Sequence, residues 1–200
     1  MKQSKRLLVV SLIVLSAILL GVLLNFLWGV LEKERYPKEF DAYVEQYAEE
    51  YGVPLWLVYA VIKVESNFDT RALSPTGAMG LMQMKSETFL WLTGEEHLGE
   101  GLTTDSLYTP EVSIRYGVYY LQYLYNKFEN WDLVIVAYNG GEGNVARWLE
   151  NPEYSDKNGN LTYIHLSEPR HYLKKVKSAW ESYENIYAER SLTANEKEKL

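Results

Sequence analysis

Residues 61–84 read VIKVESNFDTRALSPTGAMGLMQM, and the stretch turns from helix to loop about where its only carboxylate before Asp69 stands. Leu55, Val58, Ile62 and Glu65 are spaced i, i+3, i+7 and i+10, so an acid ends an apolar line that a helix turns toward its core. Ser66, Asn67 and Asp69 follow, residues whose side chains compete for backbone hydrogen bonds and so favour caps and turns. Then come Ser74-Pro75, Gly77, Gly80 and the run Leu81-Met82-Gln83-Met84. Desolvation disfavours the ionised form of an acid so placed, and the negative end of the helix dipole works the same way. A carboxyl kept protonated near neutral pH suits a general acid that must protonate a leaving oxygen. In the competing arrangement Glu65 caps the loop by accepting backbone N–H groups, and its pKa falls instead.

Outward from this stretch the pattern is helical. Pro54 opens the helix that delivers Glu65, over residues 54–66, and Ser86 reads as the N-cap of a short helix to residue 92. Residues 94–109 are loop-like. A long helix over residues 110–128 carries Val112, Tyr116, Tyr119, Tyr120 and Tyr123, with Gly117 admitting a second helix at close range. A hydrophobic helix over 131–138 runs into Asn139-Gly140-Gly141, and the helix 142–150 turns Val145 and Trp148 inward. Residues 151–160 are polar, with Pro152 and Asn158-Gly159 as turn signals. A last helix spans 168–188, and 191–200 form a charged tail. Strand-like alternation is confined to residues 161–166, so the expected fold is mostly α.

Ahead of all this, residues 7–31 are 25 positions without a charge, preceded by Lys2, Lys5 and Arg6. That length spans a bilayer with some tilt. The apolar run is long for a cleavable signal, and there is no cysteine to take a lipid. The positive-inside rule then places residues 1–6 in the cytoplasm and everything after residue 31 outside, on a single-pass signal anchor in the cell membrane. Residues 32–51 are amphipathic, with Phe40, Val44, Tyr47 and Tyr51 on one face, and read as a juxtamembrane helix leading to a domain over residues 52–190. Leaving out the three cytoplasmic cations, 17 basic residues face 27 acidic ones, a balance of −10. Such a domain does not bind nucleic acid, whose affinity comes from Lys and Arg on phosphates. Its 17 Tyr and 6 Trp offer faces for sugar rings. His97, His165 and His171 show no ligand spacing, and no metal or other cofactor is expected.

The motifs resemble the lysozyme-like lytic transglycosylases, the soluble-lytic-transglycosylase (SLT) catalytic domain. Glu65-Ser66-Asn67-Phe68 with Ser74 matches the first motif, Gly80-Leu81-Met82-Gln83 the second, Ala137-Tyr138-Asn139-Gly140-Gly141 the third, and Glu168 with Tyr172 the fourth. Four motifs in order over residues 45–185 make a specific signal. The resemblance implies a lysozyme-like (goose-type lysozyme/SLT) helical domain whose partner is peptidoglycan. It also implies a one-carboxylate reaction in which Glu65 protonates the glycosidic oxygen after N-acetylmuramic acid and then takes the proton of the muramic C6 hydroxyl, leaving a 1,6-anhydro end. Gln83 would hydrogen-bond the sugar, or stand as a satisfied core amide. Tyr138 and Asn139 would meet the acid or the substrate, or simply end a helix. Ser74 would bond Glu65, or only start the turn at Pro75. Glu168 supports the site, and Tyr172, one turn away, shares its face.

The chain departs from the family pattern at Lys85-Ser86, where Met-Pro is usual, at Pro169, where Thr is usual, and at Ser113, where Asn is frequent. Ordinary glycosidases use two carboxylates, and Asp69, Glu87, Asp105, Glu142 and Glu168 are the candidates for a second. Two alternatives therefore stand beside the transglycosylase: a goose-type lysozyme-like hydrolase, and a non-catalytic glycan-binding scaffold of an envelope machine.

Overall fold

The computed structural model describes residues 2–156 and 159–188, with the backbone alone for residues 2–7 and 188. Asn158 and the tail 191–200 lie outside the described residues. Contacts divide the chain into two units, and Lys38–Asn185 is the larger. Helix α1 (Lys2–Arg35) belongs to the other. Its segment Leu8–Arg35 is long and apolar enough to cross a membrane, with a mean hydropathy of 2.7 in its most apolar window and none of that window buried.

Residues 32–51 do not form the single juxtamembrane helix expected. Helix α1 stops at Arg35, and α2 (Asp41–Tyr51) starts after Phe40, whose backbone is left-handed at φ 59°. The reason lies in the apolar face of α2. Val44, Tyr47 and Ala48 are buried there, and α2 packs against both α3 (Leu55–Glu65) and α5 (Pro110–Phe128). The Tyr47 hydroxyl donates to Glu111 at 3.0 Å. The folded unit thus begins at Lys38, ahead of the boundary expected at residue 52.

Helix α3 is central. Leu57 through Ile62 are all buried, so the line Val58–Ile62–Glu65 is one side of a helix enclosed nearly all round, and each enclosed aliphatic side chain contributes about 1.5–3 kcal/mol. Its chief partner is α8 (Ser167–Tyr183), against which Tyr59 stacks on Tyr183 at 5.4 Å between ring centres. Helix α6 (Trp131–Gly140) packs on α5 and α8, and α7 (Glu142–Glu150) on α6 with Val145 and Trp148 buried as expected. Asn130 caps α6 by accepting from the amides of Asp132 at 2.9 Å and Leu133 at 3.4 Å. Helix α5 has the bounds read from its sequence. The last helix is α as far as Tyr183 and continues as a π turn, Glu184–Ala188.

Three local expectations are corrected. Ser86 lies inside α4 (Ser86–Leu92), with Lys85 at the N-cap position and no side-chain cap. The one sheet among the described residues is a hairpin of β1 (Ala78–Met79) and β2 (Met84–Lys85), registered Ala78 to Lys85 and Met79 to Met84. It sits in the Gly-rich loop, whereas residues 161–166 supply only an isolated bridge from Leu161 to Ser155. Gly117 does admit a close neighbour, but that neighbour is the fully buried Met82 of the hairpin loop, where a helix was expected. A short 3₁₀ helix, Thr104–Tyr108, interrupts the loop before α5.

Candidate active site

Glu65 is the last residue of α3, and the chain beyond it is bent sharply. Ser66 still donates to the Ile62 carbonyl at 3.2 Å, and its hydroxyl also reaches the Leu81 carbonyl at 2.8 Å. Asn67 and Phe68 are then both left-handed, at φ 52° and 67°. Exposed Asn67 tolerates that backbone, whereas a buried ring such as Phe68 adopts it only when its surroundings over-determine it, a pattern concentrated at functional sites. The loop after the acid is therefore tied to the hairpin loop by the Ser66 hydroxyl and held in place by the buried Phe68 ring.

The hairpin loop is packed just as closely. Gly80 has φ 74°, and a Cβ there would run into the Leu107 carbonyl oxygen and lie 2.9 Å from the Ser113 hydroxyl, so only glycine fits. Ser113 is wholly buried and accepts from the Met82 amide at 3.2 Å. Its small hydroxyl, at the position where the family often has Asn, thus anchors the turn that carries Gln83. Gln83 is left-handed at φ 47°, and its amide nitrogen donates to the carbonyls of Ala72 and Gly80, both at 3.0 Å. The side chain is a loop staple, and its carbonyl oxygen is what it can still offer a ligand.

These loops and the ends of α6 and α8 line one cavity of about 360 Å³. Glu65, Ser74, Gln83, Tyr138, Asn139 and Glu168 all stand in its wall, so six of the seven site residues read from the sequence meet there. The seventh, Tyr172, is buried behind Glu65 and acts on its charge. Ser74 does not bond Glu65: its hydroxyl accepts from the Ala78 amide at 2.9 Å and shares a hydrogen with Thr76 at 3.1 Å. It builds the turn, the second of the two roles weighed for it. The Tyr138 hydroxyl donates to the Met82 carbonyl at 2.8 Å, joining α6 to the hairpin loop. Asn139 Oδ1 is buried and has no hydrogen-bond partner among the described residues.

Burial pushes the Glu65 carboxyl up from 4.5 to about 7. The nearby Tyr172 hydroxyl pulls it partly back, and the negative charge of Glu168 raises it further. Tyr172 reaches Glu65 without ordinary hydrogen-bond geometry, which leaves its hydroxyl buried and unpartnered. Burial and the neighbouring Glu65 charge in turn hold the hydroxyls of Tyr138 and Tyr172 well above their usual range. The acid is thus poised near neutrality, and the alternative in which backbone amides lower its pKa does not describe this loop.

Of the possible second carboxylates, only Glu168 joins Glu65 in the cavity wall. It lies in the first turn of α8 and is exposed. Glu87 and Glu142 line a neighbouring cavity that shares Thr88, Tyr120 and Gly141 with the first, while Asp69 caps its own loop by accepting from the Arg71 amide at 2.8 Å. Tyr120 was missed as a site residue. It lines both cavities, and its ring lies 5.5 Å from that of Tyr138. In the sequence it was one of several tyrosines on a helix face, with nothing to single it out. Pro169, the departure beside Glu168, is buried against Gly140, where a Cβ would lie 2.8 Å from its ring.

The Transglycosylase SLT domain family matches residues 42–160, a span that opens within α2. The chain is 33% identical over 159 residues to the soluble lytic murein transglycosylase of Escherichia coli K12, covering 78% of this chain and 24% of that protein. It is 34% identical over 161 residues to membrane-bound lytic murein transglycosylase C of Serratia proteamaculans, covering 70% and 45%. The structure is similar to the crystal structure of the 70 kDa soluble lytic transglycosylase of Escherichia coli, with a TM-score of 0.69 at 30% identity over 77% of this chain and 25% of that one. The chain spans about a quarter of the length of the soluble relatives it matches. Its fold, its ordered motifs and this match over more than half its length place it in the transglycosylase SLT domain family, within the lysozyme-like superfamily.

Proposed function

We propose that this chain is a membrane-anchored peptidoglycan lytic transglycosylase that cuts the bond from N-acetylmuramic acid to N-acetylglucosamine without water. The observation that carries the reading is Glu65: a carboxyl raised to about 7 by burial, in the wall of an open cavity that holds a single further acid. Protonated Glu65 gives its proton to the glycosidic oxygen. The C1–O bond breaks, and its electron pair leaves with the N-acetylglucosamine. Glu65, now a carboxylate, takes the proton of the muramic C6 hydroxyl as that oxygen bonds to C1, which returns the acid to its starting form. Tethering the nucleophile to the reacting ring makes the closure unimolecular, an advantage that reaches about 7–11 kcal/mol in favourable geometry.

The other residues serve this exchange. Glu168 keeps the proton on Glu65, and Tyr172 offers the carboxylate its hydroxyl once the proton has gone. Asn139 Oδ1, buried and unpartnered, suits an N–H of the substrate's acetamido group. Gln83 offers its remaining carbonyl oxygen to the sugar. A scaffold that only bound glycan would have no use for a carboxyl kept at neutral pKa. A goose-type hydrolase would need an acid to hold water, and Glu168, exposed at the rim, is the one available in this cavity.

Product analysis decides between these readings. Purified glycan strands should yield fragments ending in 1,6-anhydromuramic acid, each lighter by one water than a hydrolytic end. Digestion in heavy-oxygen water should leave the new ends unlabelled. Labelled reducing ends would make the protein a lysozyme. The membrane association suggested by α1 and by the membrane-bound relative extends to an orientation, N-terminus inside and catalytic domain outside. Protease added to intact cells should then remove the domain. Survival of the domain under that treatment would overturn the orientation.

A further inference from the structure

The wall of the catalytic cavity contains two carboxylates and one cation, Lys85. Lys85 ends the hairpin at the entry to α4, in extended backbone at φ −75° and ψ 144°, with Cα registered opposite Ala78. Its side chain is exposed. Among the described residues no carboxylate forms an ion pair with it, whereas Lys127 is paired with Glu142 at 3.1 Å and Lys177 with Asp132 at 2.8 Å. Nor is it among the groups that set the Glu65 proton, which are burial, Tyr172 and Glu168. The charge of Lys85 is therefore used neither by the fold nor by the acid.

The strand proposed to enter this cavity is made of neutral sugars, but every muramic residue carries a lactyl substituent. That substituent ends in a carboxylate when bare, and in a peptide bearing carboxylates when substituted. A domain with a balance of −10 does not draw such groups in by its overall field, so a local cation must hold them. From the single unpaired cation in the wall, we infer that Lys85 binds a carboxylate of the muramic substituent, so that the site selects strands by the charge they carry as well as by their sugars. The inference rests on the cavity being the peptidoglycan site.

The test is equilibrium binding, which does not require turnover. Full-length Glu65→Gln protein in detergent micelles is compared with the Glu65→Gln/Lys85→Met and Glu65→Gln/Lys85→Arg proteins. The ligands are peptide-free strands, peptide-bearing strands, and both after conversion of their carboxyls to neutral amides. Lys85→Met should weaken binding about fivefold on carboxylate-bearing strands, and Lys85→Arg should restore it. On amidated strands the Met and Lys proteins should bind alike. A loss on peptide-free strands identifies the lactyl carboxylate, and a loss confined to peptide-bearing strands identifies the peptide. Equal binding by the Lys and Met proteins on both charged ligands overturns the inference. So does a loss that persists undiminished on amidated strands, or a failure to bind charged strands at all. Product analysis of the wild-type protein reports separately on the reaction: hydrolytic ends with Lys85-dependent binding would sink the transglycosylase reading alone.

Discussion

The raised pKa of Glu65 should be visible in stability as well as in catalysis. A carboxyl that moves from 4.5 unfolded to about 7 folded binds its proton more tightly in the folded state. Between those values the folded protein holds more protons than the unfolded chain, so stability falls as pH rises through the window. At 1.36 kcal/mol per pH unit the ceiling is about 3 kcal/mol. The carboxyl opens on the cavity, where water screens it, and about 2 kcal/mol is the expected loss. Glu65→Gln replaces the acid with a neutral group of nearly the same shape and should abolish this slope. Below pH 4 the two proteins should melt together, since both side chains are then neutral. At pH 8 the variant should be more stable by about 2 kcal/mol, a rise of about 4–8 °C in melting temperature for a unit of this size. Thermal scans of both proteins in the same micelles from below pH 4 to pH 8 supply the measurement, and the variant should lose about 10²–10⁴-fold in activity. A difference in melting temperature that does not change with pH would show that Glu65 is not desolvated in the folded protein, and the case for a stored proton would fall with it.

Tyr172→Phe should move the same proton in the sense in which the Glu168 charge already moves it. The hydroxyl of Tyr172 pulls the Glu65 pKa down, so removing it raises that pKa, and the alkaline limb of the kcat/KM profile should move to higher pH; an unmoved limb would disconnect the two residues. Gly117→Ala gains about 1 kcal/mol of helix propensity but drives a methyl into buried Met82, a cost of about 1–3 kcal/mol. Urea unfolding should show a net loss, and a stabilised variant would mean that the hairpin loop gives way freely.

The helices were legible because each declared a face or a punctuating residue. Pro110 opens α5, and Gly141 at φ 84° stops α6. Glu65 was legible for a related reason, as an acid on an apolar line in front of residues that resist helix. What periodicity cannot report is which distant atoms meet. The hairpin has two residues per strand, too short for alternation to show, and its shape depends on left-handed turns at Gly80 and Gln83 that side-chain pattern does not encode. The same blindness made Met82 invisible as the neighbour of Gly117. Tyr172 was expected beside Glu168 on one helix face, but its consequential neighbour, Glu65, is on another helix. Likewise α2 showed its amphipathic face plainly, yet nothing local told a membrane-proximal spacer from a helix docked on α5.

The contact of Pro169 with Gly140 constrains the order in which this wall can be rebuilt. Gly140 lies in ordinary helical backbone, so the ring of Pro169, which a Cβ would approach to 2.8 Å at Cγ and 3.3 Å at its own Cβ, is the principal obstacle to a larger residue. While Pro169 is present, Gly140→Ala must displace the start of α8, and Glu168 with it. Once position 169 holds a smaller side chain, the same change gains up to about 1 kcal/mol of helix propensity. One substitution thus changes sign with the residue at the other. The proline thus acts as a lock on position 140: a bulkier residue is tolerated there once the ring is gone, and the order in which the two changes are made decides whether the intermediate protein is stable.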